Sequence, residues 1–191
     1  MKKQELIRCG WCSDDPIYVK YHDDEWGRLD ENDKRMFEFL VLESAQAGLS
    51  WITILRKREG YRKAFADFDA VKVARFTDDD IDRLMQDSSI VRNRQKIEAA
   101  IHNASLFIEV QKEFGSFYNY IRSFLPEKKP VINHWKQLSD IPATTGLSDT
   151  ISKNMKKRGF KFFGTTTCYA FLQATGYVND HIIDCHCRSN K

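Results

Sequence analysis

Apolar residues recur at helical spacing along most of this 191-residue chain, and the two-residue alternation of a half-buried strand is nearly absent. Glycines stand where helices should stop. Gly48, Gly60, Gly115, Gly159, Gly164 and Gly176 each come after an apolar-periodic stretch. Thr77-Asp78-Asp79-Asp80 and Ser148-Asp149 offer the side-chain oxygens that cap helix N-termini. The pattern predicts helices near 33–47, 51–58, 60–67, 78–87, 92–113, 117–125, 148–158 and 165–175. Pro130-Val131-Ile132 is too short to seed a sheet, and 126–145, with three of the four prolines, predicts the longest connection. The expected fold is all-α. The length predicts one globular domain over 1–191.

At 42% hydrophobic and 30% charged residues the composition is that of a globular chain, not a disordered one. No apolar run approaches the length of a membrane span, so no membrane partner is expected. The opening MKKQELIRCGWC lacks the apolar core of a signal peptide, which predicts a cytoplasmic protein. Thirty Lys and Arg against 27 Asp and Glu leave +3, which permits nucleic-acid binding without demanding it.

Four of the five cysteines lie near the chain ends. In a reducing compartment such clusters favour metal over disulfides. Cys9 and His22 stand near one end, and His181 and Cys185, at i, i+4 spacing, near the other. The two pairs could close a tetrahedral Cys2His2 zinc site and staple the termini together; four protein ligands leave no open position, so the metal would be structural. Cys12, His186 and Cys187 compete for the same role.

The predicted helix 33–47 carries a carboxylate where none belongs. Met36, Leu40 and Ala47 share a face flanked by Phe37 and Phe39, and Glu43 falls in the middle of that stripe. Glu38 falls on the opposite face, where a glutamate is expected. A carboxyl aimed at a core must find donors or shift its pKa, so Glu43 is a candidate functional acid. Nearby segments bring Trp11, Tyr18, Tyr21, Trp26 and Trp51, enough rings to form a slot for a flat heteroaromatic beside that acid.

Two basic features suit phosphate. Residues 84–101 read as a helix, a tight polar turn and a second helix headed by Arg92, Arg94 and Lys96. Lys153 to Lys161 holds five basic residues and no acid, and leads into Gly164-Thr165-Thr166-Thr167 at a helix start.

Taken together, the chain resembles the bacterial DNA-3-methyladenine glycosylase I family, a divergent branch of the helix-hairpin-helix glycosylases. The likeness runs from Arg8-Cys9-Gly10-Trp11 to Cys185 through Asp15-Pro16, Tyr21-His22-Asp23, Glu25-Trp26-Gly27, Gln46-Ala47-Gly48-Leu49-Ser50-Trp51, Lys157-Arg158-Gly159-Phe160-Lys161-Phe162 and Asn179-Asp180-His181. The resemblance implies a helix-hairpin-helix fold and one structural zinc on Cys9, His22, His181 and Cys185. It implies base recognition by Glu43 and Tyr21, stacking by Trp51, and a pocket completed by Trp11 and Tyr18. Gln46 and Leu49 would probe the gap left by a flipped nucleotide, with Arg92 and Lys161 on DNA. Its hairpin often carries glycine where this chain has Ser89.

The activity so implied is excision of 3-methyladenine from alkylated double-stranded DNA by a monomeric enzyme that leaves an abasic site without strand cleavage. The main rival is a zinc-stabilised helix-hairpin-helix module that binds DNA without chemistry, and Glu43 argues against it. A zinc hydrolase or deaminase lacks its motif, since His22-Asp23-Asp24-Glu25 is not HExxH and no HxE with PCxxC is present.

Overall fold

The structure, a computed structural model, describes residues 6–188. Among them are nine α-helices: α1 (Pro16–Asp24), α2 (Asp33–Gln46), α3 (Trp51–Ala64), α4 (Ala70–Val73), α5 (Asp78–Gln86), α6 (Arg94–Phe114), α7 (Phe117–Arg122), α8 (Gly146–Lys157) and α9 (Thr165–Ala174). None of these helices is long and apolar enough to cross a membrane.

Helix α2 is the axis of the molecule. Asn32 caps it by accepting from the Lys34 and Arg35 N–H groups. It packs against α3, α6, α7 and α9, and every residue from Met36 to Ala45 is buried. A helix walled in on all sides has no solvent face. This corrects the expectation for Glu38: it is as deep as Glu43, at 3% and 4% exposure. The first residue of α2 also anchors a neighbour, because the Asp33 carboxylate accepts from the backbone N–H groups of Phe117 and Tyr118 at 2.9 and 3.0 Å, tying down the start of α7.

Several boundaries differ from the sequence expectation. Helix α1 lies outside the predicted set, although Asp15 accepts from the Ile17 N–H and Pro16 sits at its first position. Gly60 does not end a helix; α3 runs through it. A Cβ there would lie 2.5 Å from the Ser89 carbonyl oxygen, so this glycine exists for close approach and not for termination. The cap of α8 is Thr145, not Ser148, which instead closes the capping box as its third residue.

The connection 126–145 contains a short strand, β1 (Val131–Ile132), which pairs in parallel with β2 (Val178–Asn179), Val131 opposite Val178. Two residues are too few to read as a strand by pattern, yet the pairing draws the connection over α9 and beside the C-terminal segment. The helix–turn–helix unit forms as expected: α5 is closed by the Thr77–Asp80 capping box, and α6 begins two residues later than predicted, capped by Asn93. Between them Ile90 is buried and the Val91 N–H donates to the Tyr61 hydroxyl at 3.2 Å, docking the turn on α3.

Candidate active site

Helices α1, α2, α3 and α9, with the 126–145 connection, line an open cavity of about 330 Å³. Trp11, Tyr18, Tyr21, Trp26 and Trp51 line it together with Glu43 and Gln46. Every aromatic residue expected in the slot is present. The rings brace one another: Trp11 and Trp26 meet edge to face at 4.9 Å, Trp11 and Tyr18 lie at 5.7 Å, and Tyr21 and Trp51 at 5.5 Å. Phe39 lies behind Trp51, nearly parallel at 6.5 Å, and is itself covered by the guanidinium groups of Arg35 and Arg58.

The two acids of α2 meet opposite environments. Glu38 accepts from Arg58 and Arg62 at 2.8 Å and from Arg35 at 2.7 Å, while Glu25 completes the cluster through Arg35 and Arg58. Burial would push the Glu38 carboxyl up, but the hydrogen bonds and charge of Arg58, then of Arg62 and Arg35, hold it down at about 2. Glu43 has no hydrogen-bond or ion-pair partner among the described residues, and burial alone pushes it up to about 8. With no cation beside it, Glu43 is therefore mostly the neutral acid at neutral pH. The indole N–H groups of Trp11 and Trp51 are likewise buried without partners. An acid and two donors left unpaired around one aromatic-walled cavity describe a site completed by a polar, planar ligand.

The termini meet as the sequence implied. The ligand atoms of Cys9, His22, His181 and Cys185 all lie within 4.8 Å of one another, and all four residues are buried. Sγ of Cys185 is 3.5 Å from His22 Nε2 and 3.3 Å from His181 Nδ1, and Sγ of Cys9 is 3.5 Å from His181 Nδ1. Bonds of about 2.0–2.3 Å in a tetrahedron require ligand separations of roughly 3.3–3.8 Å, so the donor set fits a metal ion of that geometry. Both rings are oriented for it. His22 Nδ1 faces Asp23 Oδ1 at 2.8 Å, which turns its Nε2 toward Cys9 and Cys185, and His181 Nε2 faces the Trp26 carbonyl at 2.9 Å, which turns its Nδ1 the same way. Hydrogen bonds from Cys9 and then from the two histidines hold the Cys185 thiol far below its ordinary value. Gly27, at φ +72°, lets the His181 ring in; a Cβ would meet that ring at 2.9 Å. The competing residues fall outside the four. Cys187 and His186 gather around Asp23 behind His22, and Cys12 contacts the Ser13 carbonyl.

Gln46, which ends α2 and lines the cavity, accepts at its carbonyl from the N–H of exposed Leu49 at 2.6 Å, on the turn that leads into α3. Of the three basic residues at the head of α6, Arg94 is paired with Asp82. Lys96 turns inward to the Ala45 and Ala47 carbonyls at 2.9 and 2.6 Å, capping α2 instead of facing solvent. Arg92 is exposed and has no ion-pair partner among the described residues. Lys161 is exposed on a backbone clamped from both sides by the Asn103 amide, at 2.9 Å each way. Ser89 does not take a positive φ, so its departure from glycine carries no backbone strain. Sequence reasoning missed the wall that α9 contributes through Tyr169 and Gln173. Their only signal was the Asn179-Asp180-His181 stretch, whose aspartate they contact.

A mostly helical body that buries a lone acid among aromatic rings, beside a metal-ready Cys2His2 cluster, defines a class of protein built to hold a flat heterocycle. The methyladenine glycosylase family model matches residues 11–189. DNA-3-methyladenine glycosylase 1 of Escherichia coli (strain K12) is 49% identical over 182 residues, spanning 95% of this chain and 97% of that one. The DNA-3-methyladenine glycosylase of Haemophilus influenzae is 46% identical, spanning 96% and 98%. Among solved structures, the 3-methyladenine DNA glycosylase I of Staphylococcus aureus, described for its recognition of 3-methyladenine, superposes with a TM-score of 0.92 at 38% identity, covering 97% and 98% of the two chains. A further 3-methyladenine DNA glycosylase I crystal structure reaches a TM-score of 0.92 at 46% identity, covering 95% and 99%. This chain belongs to the methyladenine glycosylase family.

Proposed function

We propose that this protein is a DNA repair glycosylase that takes 3-methyladenine out of alkylated double-stranded DNA, flips it into the aromatic cavity and hydrolyses its N-glycosidic bond. The observation that carries this reading is Glu43, buried against rings with no cation to pair it. Methylation at N3 gives the base a positive charge and makes it a good leaving group, so the enzyme supplies only part of the barrier. The cationic ring would stack on Trp51, gaining a cation–π attraction that neutral adenine lacks. Its arrival also gives Glu43 a reason to ionise: a buried carboxyl held neutral without a counter-charge becomes a carboxylate once a cation sits beside it. A neutral base cannot drive that ionisation, which makes the acid a charge filter as well as an acceptor for the exocyclic amine. Tyr21 completes base recognition, and Trp11 and Tyr18 close the walls.

In the chemical step the water oxygen bonds to the sugar C1′ and its proton passes to solvent. The bond's electron pair leaves with the base and cancels its charge, giving neutral 3-methyladenine and an abasic site. No lysine lines the cavity among the described residues, so with no Schiff-base nucleophile there the reaction would end without strand cleavage. Gln46 and Leu49 would fill the gap in the duplex. The α5–turn–α6 unit would serve as the helix-hairpin-helix, with Arg92 and Lys161 on backbone phosphates. A single structural zinc on Cys9, His22, His181 and Cys185 would join the termini and take no part in chemistry. We read the chain as one domain acting as a cytoplasmic monomer.

The test is release of 3-methyladenine from alkylated duplex DNA by wild type and by Glu43→Gln. Full activity in the variant would remove Glu43 from this role, whereas a wild type that releases no 3-methyladenine would return the module without chemistry to contention.

A further inference from the structure

Asp180 is fully buried, at 0% exposure, and no lysine or arginine among the described residues pairs with it. Its carboxylate is satisfied by four neutral donors. Oδ1 accepts from Asn133 Nδ2 at 2.7 Å and Trp135 Nε1 at 2.8 Å, and Oδ2 accepts from Gln173 Nε2 at 2.7 Å and the Tyr169 hydroxyl at 2.5 Å. Such an arrangement is costly to build and is more than packing needs, because an apolar residue would fill the space without desolvating a charge. Two of the donors, Tyr169 and Gln173, are also walls of the base cavity.

Their bonds to Asp180 limit what those two side chains can still offer. A phenol has one hydrogen, and that of Tyr169 is committed to Asp180, leaving oxygen lone pairs for any other partner. The Gln173 amide is held with its nitrogen toward Asp180, which turns its carbonyl oxygen away from the carboxylate. We propose that Asp180 is a positioning residue that makes the α9 wall present hydrogen-bond acceptors, so that the cavity favours a purine with an amine at C6 over one with a carbonyl at C6. Resting on the 3-methyladenine reading above, Asp180, with Tyr169 and Gln173, is a second determinant, beside Glu43, that separates 3-methyladenine from 3-methylguanine. Adenine presents an exocyclic amine at C6, and guanine presents an oxygen there. An acceptor wall facing that oxygen would leave both groups unpaired in a dry site.

The experiment measures both bases released from one preparation of methylated duplex DNA by wild type, Asp180→Asn and Tyr169→Phe. Asp180→Asn gives the wall a donor in place of an acceptor and lets Gln173 reverse. The ratio of initial rates, 3-methyladenine over 3-methylguanine, should fall by about tenfold, the factor one mispaired hydrogen bond is worth. Tyr169→Phe deletes one lone-pair group without touching the carboxylate and should move the ratio in the same direction, so it carries the test should Asp180→Asn fail to fold. Partial unfolding or loss of metal scales both rates together and leaves the ratio unmoved. Wild-type release of 3-methyladenine with an unchanged ratio in the soluble variants would overturn this inference alone. Wild type that releases no 3-methyladenine would overturn the glycosylase reading, and the inference with it.

Discussion

Glu38 and Glu43 stand on opposite sides of the same buried helix, about 140° apart around its axis, and only one of them has a counter-charge. Three arginines converge on Glu38, while Glu43 faces an aromatic cavity with none. One helix therefore presents a carboxylate ionised at neutral pH to a structural cluster and a poised, neutral acid to the site.

That poise predicts a pH dependence. The ionised form of Glu43 is the one that attracts a cationic base, and its fraction in the free enzyme rises with pH through about 8. The kcat/KM for 3-methyladenine release should climb by up to about tenfold per pH unit below that value and level off above it. Glu43→Gln should be slow and flat across the same range. A wild-type profile that is flat from pH 6 to 9 would contradict the assignment.

The same group affects stability in the opposite sense. Because its folded value is raised, the neutral acid favours the native state at low pH, and that contribution is lost as pH rises from about 4.3 toward 8. Glu43→Gln should match wild type in Tm near pH 5 and exceed it near pH 9, as tracked by circular dichroism.

Glu38 behaves conversely. Its value is depressed, so its stabilisation is present above the unfolded value of about 4.3 and disappears as pH falls toward 2. Glu38→Gln leaves Arg58 buried beside a neutral amide and should cost about 3 kcal/mol, lowering Tm by roughly 6–12 °C at pH 7. Calorimetry at pH 7 and pH 3 should show the difference shrinking in acid.

Gly60→Ala is a test of close packing. In an ordinary helix interior this change would stabilise by about 0.5–1 kcal/mol. Here the new methyl group meets the Ser89 carbonyl oxygen, and the α5–α6 turn must move away from α3. We expect a loss of about 1–3 kcal/mol in urea unfolding, with weaker binding to undamaged duplex DNA.

Metal and phosphate roles separate cleanly. Elemental analysis should find about one zinc per chain, and Cys185→Ser should lower Tm more than it lowers the excision rate of the folded fraction. Arg92→Ala should reduce the slope of DNA affinity against salt by about one ion, whereas Lys96→Met, which deletes a cap on α2, should reduce stability and leave that slope unchanged.

The helical class, most helix positions, the aromatic slot, Glu43 and the terminal Cys/His pairs were legible in the amino-acid order, because each leaves a local trace, whereas the choice of Cys9, His22, His181 and Cys185 over Cys12, His186 and Cys187 came only with the family resemblance. Periodicity of 3.6 residues, a capping oxygen, a carboxylate on an apolar stripe and a Cys/His pair at fixed spacing are properties of neighbours along the chain. The burial of Glu38, the turning inward of Lys96, the passage of α3 through Gly60 and the hub at Asp180 were not legible. Each depends on a partner far away in sequence: Arg58 for Glu38, Ala45 for Lys96, Ser89 for Gly60, Tyr169 and Asn133 for Asp180. A side chain's own letter and its neighbours set what it can do, but whether a charge is exposed, paired or stranded is decided by which surfaces the packed helices bring against it.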